Sequence, residues 1–395
     1  MNLLLRSGWQ TVNIGDIAHT PGLLTLLGQH VPEARITLWS NALDRGVREI
    51  LARHFPRLLF VSGDPGAPEV RAAIDDAHAL LHGSGPGLVA RAHVEAWRAV
   101  TPKPWGVCGI TVPPSAEPAT PALGPELKAV LESARFVYTR ETLSLGHLKQ
   151  APVEGPPLDF FPDATFALQL NDDARATAFL RKHGLAEGGY LCVVPRLRVT
   201  PYHKIRPTNW TPEEINRRET LNARHAEPDH AKLREAIIAW VRQTRRKVLL
   251  VPEMTYAVDI MAELLENPLP ADVKPFVVRR PDYWITDEAA STYARAAAVL
   301  SCECHSPIIA AAVGTPGFYV HQPEDGIKGH MWTDVGLASN YFDIETAAPA
   351  HIAGRVLDCA LRPDRERRRI ADARARIAAI HQRLLAPLPR LLGLA

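Results

Sequence analysis

Ala298-Val-Leu-Ser301-Cys-Glu303-Cys-His305-Ser-Pro307-Ile-Ile-Ala-Ala-Ala-Val-Gly314-Thr-Pro316 is the stretch on which the fold class turns. Its first residues suit a strand buried in a sheet, and Pro307 to Val313 suit a buried helix. Gly314-Thr-Pro316 then stops the helix and launches another strand. Strand, polar turn, helix, strand is one unit of an α/β sheet, and it sets Glu303 and His305 in the turn where the helix starts. An imidazole there is suited to general acid or base work near neutral pH.

Working outward, the same alternation runs through the second half of the chain. Strands are expected at Tyr190 to Val194, Lys247 to Val251, Pro275 to Val278 and Gly317 to Val320, with helices over Ala174 to His183, His230 to Arg242 and Ala257 to Glu266. The first half repeats the pattern with strands at Leu3 to Leu5, Arg35 to Trp39, Leu58 to Val61, Ala79 to His82, Trp105 to Ile110 and Phe136 to Thr139. Its helices are expected around Gly22 to His30, Asp44 to His54, Pro68 to Ile74, Leu88 to Val100, Pro125 to Ser133 and Glu141 to Lys149. Pro152, Pro156, Pro157 and Pro162 crowd the interval between the halves and mark a connector. The expected architecture is therefore α/β, two Rossmann-like doubly wound domains, with residues 1–155 and 156–362 facing each other across a cleft. A final helix, Pro363 to Leu385, is long enough to pack back on the first domain. Ligands of such sheets bind at the carboxyl ends of the strands.

Several segments deliver polar residues to those ends. Asn13-Ile-Gly15-Asp16 follows the first strand; it reads either as a tight turn aimed into the cleft or as a helix cap at Asp16. Gly83-Ser84-Gly85 follows the fourth strand as a turn that faces either substrate or backbone, with no Walker lysine behind it. After Val194 come Arg196, Arg198, His203, Lys204 and Arg206, in a stretch from Arg196 to Arg224 that the prolines at 201, 207 and 212 mark as a long loop. Such a loop is a candidate lid, and Arg196, nearest the strand end, is the favoured anion ligand. His321, Lys328 and Trp332 follow the strand after His305, the tryptophan offering a flat face to a sugar ring. Cys302, Cys304 and His305 lack a fourth partner at zinc spacing, so neither a metal nor a cofactor is expected.

Composition sets the outer limits. With 395 residues the chain exceeds one core. A net charge of +2 excludes the concentrated basic footprint of a nucleic-acid protein. Five cysteines, mostly in apolar runs, suit reduced thiols and a cytoplasmic setting rather than a disulfide framework. No stretch suits a signal peptide or a spanning helix, so contact with a lipid-linked substrate would be peripheral.

Taken in order, these segments resemble the polysaccharide pyruvyl transferase family. The matching pieces are Asn13-x-Gly15-Asp16, Gly83-Ser84-Gly85, Val137-Tyr138-Thr139-Arg140-Glu141-Thr142-Leu143-Ser144, Pro162-Asp163-Ala164-Thr165-Phe166, Ser301-x-x-x-His305 with Ala310 to Pro316, then Lys328 and Gly336-Leu337. The resemblance implies a GT-B-like fold and transfer of a pyruvyl group from phosphoenolpyruvate to a saccharide of the cell envelope or an exopolysaccharide, as a ketal. It further implies Arg140, Arg196 and Lys328 as anion clamps and His305 as acid or base. One position departs: the family's Ser-x-Arg-x-His has Glu303 in place of its arginine. An ionised carboxylate about 4 Å from an anionic donor would cost on the order of 4 kcal/mol at an effective dielectric near 20. Two other readings stay open on that account. Glu303 with Ala311 to Pro316 is compatible with a glycosyltransferase that uses a nucleotide sugar, and loss of the arginine is compatible with a saccharide-binding protein without donor chemistry.

Overall fold

The computed structural model describes residues 1–114, 123–151 and 153–394; of the connector prolines, Pro152 lies outside these. Two parallel sheets carry the chain. The first has seven strands in the order β3-β2-β1-β4-β5-β6-β7. These are β1 Asn2–Arg6, β2 Arg35–Trp39, β3 Leu59–Val61, β4 Ala79–His82, β5 Trp105–Ile110, β6 Val137–Thr139 and β7 Leu158–Phe160. The second has six, in the order β10-β9-β8-β11-β12-β13. They are β8 Tyr190–Val194, β9 Lys247–Leu250, β10 Val277–Arg279, β11 Ala298–Ser301, β12 Gly317–His321 and β13 Tyr341–Asp343. Every neighbouring pair is parallel, with helices as the crossovers. These are the two Rossmann-like sheets of a GT-B-like fold.

Strand order reverses between β1 and β4 in one sheet and between β8 and β11 in the other. Crossovers leave in opposite directions at such a point, so a crevice opens at the carboxyl ends of the two strands. The residues just beyond those four strands are Ser7 to Asp16, Gly83 to Gly85, Arg196, and Glu303 to His305. The topology thus puts the motifs of both halves on one seam.

Three elements differ from expectation. Leu158–Phe160 pairs with β6, so the first sheet extends past residue 155. Such a short strand, hard behind three prolines, carries no alternation to read. The stretch expected as a loop to Arg224 holds a single helical turn, Tyr202–Ile205, and from Pro212 one helix spans Pro212–Thr244, capped by the Thr211 side chain, which accepts from Glu214 N at 3.2 Å. Pro212 sits in its first turn, where no N–H is needed, so the proline read as a breaker is a helix start. The first helix runs Ile14–His30 and contains Pro21 rather than starting at Gly22. Its cap is Asn13, whose Oδ1 accepts from Gly15 N at 2.6 Å, and not Asp16.

The halves are joined along that helix. Ile14 N donates to Glu253 O at 3.0 Å and Thr255 N to Val12 O at 3.0 Å, a short antiparallel bridge across the seam. One apolar core takes in Leu5, Ile17 and Leu27 together with Val299, Ile309 and Leu385. The final helix, Pro363–Leu385, lies against the first sheet: His381 Nε2 is 2.7 Å from Pro162 O, and Arg383 reaches Asp159 at 2.6 Å. No helix of the described residues is long and apolar enough to cross a membrane.

Burial leaves an acid-labile signature. It pushes His82 down to about 3, His230 to about 4 and His381 to about 4. An unfolded chain takes up protons on these imidazoles as pH falls below about 6.5, while the folded chain does not until near 4, so stability is full above that window and is lost through it. Glu141 and Glu303, raised by burial, oppose this but are outnumbered. At about 1.4 kcal/mol per unit and group, denaturant unfolding should show a loss on the order of several kcal/mol between pH 7 and pH 4.5. Equal stability at the two values would refute the assignment of neutral buried imidazoles.

Candidate active site

The turn after β11 is shaped by Ser301, whose Oγ accepts from Glu303 N at 2.8 Å and donates to Glu303 O at 2.7 Å. That closes a tight polar turn and aims the Glu303 side chain back along the sheet edge. The helix His305–Ala312 then begins, and its Ser306 N donates to Glu253 Oε2 at 2.5 Å. Glu253 is fully buried and comes from the loop after β9, the same loop that bridges to Val12 and Ile14. His305 Nδ1 lies 3.8 Å from Glu253 Oε1. The His305 ring meets His19, from the first helix, edge-on with centroids 4.8 Å apart. Gly15 makes this approach possible: a Cβ there would fall 2.3 Å from His305 Cβ.

Two charged chains meet around His305. On the second half, Arg196 leaves β8 and places Nε 3.3 Å from Glu303 Oε2 and Nη2 2.9 Å from Asp325 Oδ1, while Nη1 donates to Gln322 Oε1 at 2.7 Å. Lys328 reaches the same Asp325 oxygen at 3.1 Å, and Tyr319 Oη donates to the other oxygen. Burial, the largest influence on Asp325, is outweighed by Arg196 and Lys328, which hold its carboxyl below the usual range. Burial wins at Glu303: Arg196 pulls its carboxyl down, but Glu253 and Asp325 push it up, and it stands well above the ordinary value. Arg196 is shared with Asp325, so burial and the two neighbouring carboxyls together disfavour the charged form of Glu303.

On the first half, Arg140 Nη1 lies 3.2 Å from Asp163 Oδ2, and its Nε lies 3.1 Å from Glu141 Oε1 and donates to Thr111 Oγ1 at 2.7 Å. Asp163 Oδ1 lies 3.1 Å from His19 Nδ1 and accepts from Thr165 N at 2.9 Å. Burial pushes Asp163 up, yet His19, Arg140 and His305 together hold it well below the usual carboxylate range.

The sequence candidates sort as follows. His305, Glu303, Arg196 and Lys328 come together, linked through Asp325 and Glu253. Asp16 is beside them on the first helix, accepting from Gln10, with Oδ1 4.0 Å from His19 Nε2. Asn13 acts as the helix cap and Gly15 as the point of close approach. Arg140 is nearby but enclosed by Asp163 and Glu141. Arg198 is engaged with Asp229 at 2.5 Å and Glu345 at 2.7 Å. Lys204 lies on the outer surface against Glu219 at 2.8 Å. His321 is mostly buried, with Nε2 2.9 Å from Gly326 O. Gly83 and Gly85 serve backbone packing: a Cβ on Gly83 would meet Ser7 Oγ at 2.7 Å, and Gly85 bridges to Ile110. Ser84 O accepts from Trp9 Nε1 at 2.6 Å. Trp332 corrects the expectation of a sugar platform, since it is fully buried beside Phe166, Tyr319 and Leu337. A ring needed to fill a core has no face left for a ligand.

His19, Glu253 and Asp325 were missed. Asp325 sits in an unremarkable Pro-Glu-Asp-Gly turn, and Glu253 follows a strand with no motif around it. His19 had a signal: it is three residues after Asp16, hence on the same helix face. That spacing has no meaning if the helix is taken to start at Gly22.

Six buried polar atoms along this seam have no hydrogen-bond partner: Gln10 Oε1, His19 Nε2, Arg196 Nε, Glu253 Oε1, Glu303 Oε1 and His305 Nε2. Native interiors leave few such atoms, and their gathering here makes this seam the candidate site.

The sequence profile of the polysaccharide pyruvyl transferase family matches residues 13–320. The chain belongs to that family. The match opens at Asn13 and closes at Val320, so this pyruvyl transferase family member carries Asp16, His19, Asp163, Arg196, Glu253, Glu303 and His305 within the matched region. Among curated proteins, none matches it in sequence. Solved structures similar to it share the fold at low identity. A putative UDP-N-acetylglucosamine 2-epimerase from Listeria monocytogenes has a TM-score of 0.62 at 11% identity, over 100% of this chain and 97% of that one. MnaA of S. aureus, solved with UDP, gives 0.60 at 10%, over 100% and 97%. ADP-heptose lps heptosyltransferase II of E. coli gives 0.51 at 12%, over 92% and 100%.

Proposed function

We propose that this family member transfers the pyruvyl group of phosphoenolpyruvate to two hydroxyls of a saccharide, forming a ketal and releasing phosphate. Family membership supplies the reaction class, and the meeting of Arg196, Lys328 and Glu303 around Asp325, with His305 at the head of the same turn, is the observation that carries the reading. Two cations suit the donor's phosphate and carboxylate. Burial raises the Glu303 carboxyl and so lessens the repulsion that an ionised carboxylate would exert on that donor. A carboxyl raised in this way is suited to supply the proton that the enol carbon must gain.

The atoms balance without a cofactor. A first hydroxyl oxygen bonds to C2 of the donor as C3 gains a proton and becomes a methyl group. The C2–O bond to phosphate then breaks, its electron pair leaving with the phosphate, and the second hydroxyl oxygen bonds to C2. Two hydroxyl protons leave; one is accounted for at C3 and one on phosphate. His305, with Nε2 unpaired at the seam, is the base for at least one of them. The acceptor is a free or lipid-linked saccharide, in the latter case reached from the membrane surface.

Phosphate should be released from phosphoenolpyruvate only when a saccharide acceptor is present, and phosphoenolpyruvate alone should raise the thermal midpoint. One observation favours a second reading. A glutamate in the strand-turn-helix of the second half suits the hydroxyls of a nucleotide sugar, and two of the solved neighbours carry UDP or UDP-GlcNAc. Stabilisation by a UDP- or GDP-sugar with none by phosphoenolpyruvate would replace the pyruvyl reading with that one. Indifference to both, with a polysaccharide still bound, would leave a binding protein.

A further inference from the structure

Ketal formation removes protons from two hydroxyls, and His305 is one imidazole. A second stands beside it. His19 is fully buried, has Nδ1 3.1 Å from Asp163 Oδ1, and leaves Nε2 without a partner, 4.0 Å from Asp16 Oδ1 and edge-on to the His305 ring. Asp163 is in turn fixed by Arg140 at 3.2 Å and by Thr165 N at 2.9 Å. The imidazole is held at one nitrogen only: Nδ1 faces Asp163 Oδ1 and, at 3.4 Å, Thr165 Oγ1, while Nε2 is left over.

We propose that Asp163 and His19 form a relay dyad in which the ionised carboxylate fixes His19 with Nδ1–H toward it, so that Nε2 takes up a proton passed from the site through His305 or Asp16. The reasoning is that of a carboxylate-oriented imidazole: the acid sets the tautomer and stabilises the cation that forms, and the far nitrogen handles the proton. His19 acts through its neighbours, so it is a positioning and relay residue rather than one that touches substrate. The inference rests on the ketal-forming reading above, since only that reaction asks for a second proton acceptor.

His19, Asp163 and His305 also offer ligand atoms within 4.8 Å of one another, as a metal site would. Asp163 argues for the relay: one oxygen faces Arg140, and the other already serves His19 and Thr165 N. A divalent cation would have to displace these or sit against a guanidinium.

The test is His19→Asn in the full-length protein. The asparagine amide N falls near the place of Nδ1 and keeps the bond to Asp163, while the far nitrogen Nε2 is gone. Acceptor-dependent phosphate release should fall about 100-fold with KM for phosphoenolpyruvate nearly unchanged. The thermal midpoint should stay close to wild type, and the pH profile of kcat should lose one limb. The groups that face His19 and set that limb are Asp163 and Asp16, His305 from the opposite helix, Arg140 behind Asp163, and Glu253 beside His305. A folded His19→Asn protein with wild-type rate and profile overturns the relay. Should that variant not fold, imidazole 15N spectra of the wild-type protein decide: Nδ1 protonated throughout while Nε2 titrates supports the dyad, and Nε2 that never titrates overturns it. Those spectra also decide if the wild-type protein releases no phosphate with any acceptor, a result that would sink the ketal reading instead. Stabilisation by zinc ion alone that disappears in His19→Asn, with activity abolished by chelation, would make this a metal site and overturn the relay.

Discussion

Replacing His305 with alanine should abolish acceptor-dependent phosphate release, with a loss on the order of 10²–10⁴-fold in kcat, while the protein still folds. The geometry separates the two effects. His305 Nε2 has no partner and Nδ1 is 3.8 Å from Glu253, beyond a hydrogen bond, so the ring contributes little to the network that holds the seam. What holds it is backbone: Ile14 N to Glu253 O and Ser306 N to the Glu253 carboxylate. Alanine keeps the Cβ that packs against Gly15 and keeps the N–H groups of the helix start. Glu303→Gln belongs in the same assay. It keeps a donor and an acceptor but no transferable proton, so it should slow protonation of the enol carbon and leave the thermal midpoint unchanged or higher, since it removes a carboxyl that burial disfavours when charged. A His305→Ala protein that turns over at a tenth of the wild-type rate or better would remove the imidazole from the chemistry.

What the sequence showed of this site follows from where its signals come from. The apolar runs Leu3–Leu5, Tyr190–Val194 and Ala298–Ser301 are strands because each is buried on both faces of a parallel sheet, and such runs are legible without tertiary information. Once the strands are placed, their carboxyl ends follow, and with them Arg196, Glu303 and His305. Two helix starts were misplaced: Pro212, read as part of a loop, opens a helix, and the first helix begins at Ile14 rather than Gly22. The second mistake hid His19. Partnerships are a different matter. That Asp325 balances Arg196, or that Asp163 answers both Arg140 and His19, depends on distances between segments far apart in the chain, and no local pattern encodes them. The same holds for Glu303. Read alone it is an anion in the place of a cation; buried among Arg196, Asp325 and Glu253, its carboxyl is held well above the ordinary value.

Arg196→Met should destabilise the protein by about 3–5 kcal/mol, because breaking a buried pair strands the charge that remains. Asp325 would keep only Lys328 and the Tyr319 hydroxyl, Gln322 Oε1 would lose its donor, and Glu303 would lose the cation that now opposes its neighbours. The companion experiment is Arg196→Met with Asp325→Asn. Removing both charges deletes the attraction and the desolvation cost together, which leaves a buried site near neutral in stability. The asparagine still accepts from Tyr319, and Lys328, partly exposed, can turn to solvent. Denaturant unfolding should therefore show most of the lost stability recovered in the double variant. Phosphate release should not recover, since the donor would have lost its buried cation. If the double variant regains activity along with stability, Arg196 serves the fold alone and the anion site must be sought elsewhere. If it regains neither, the attraction between Arg196 and Asp325 exceeds the cost of burying them, and this ion pair is one of the minority that stabilise a protein outright.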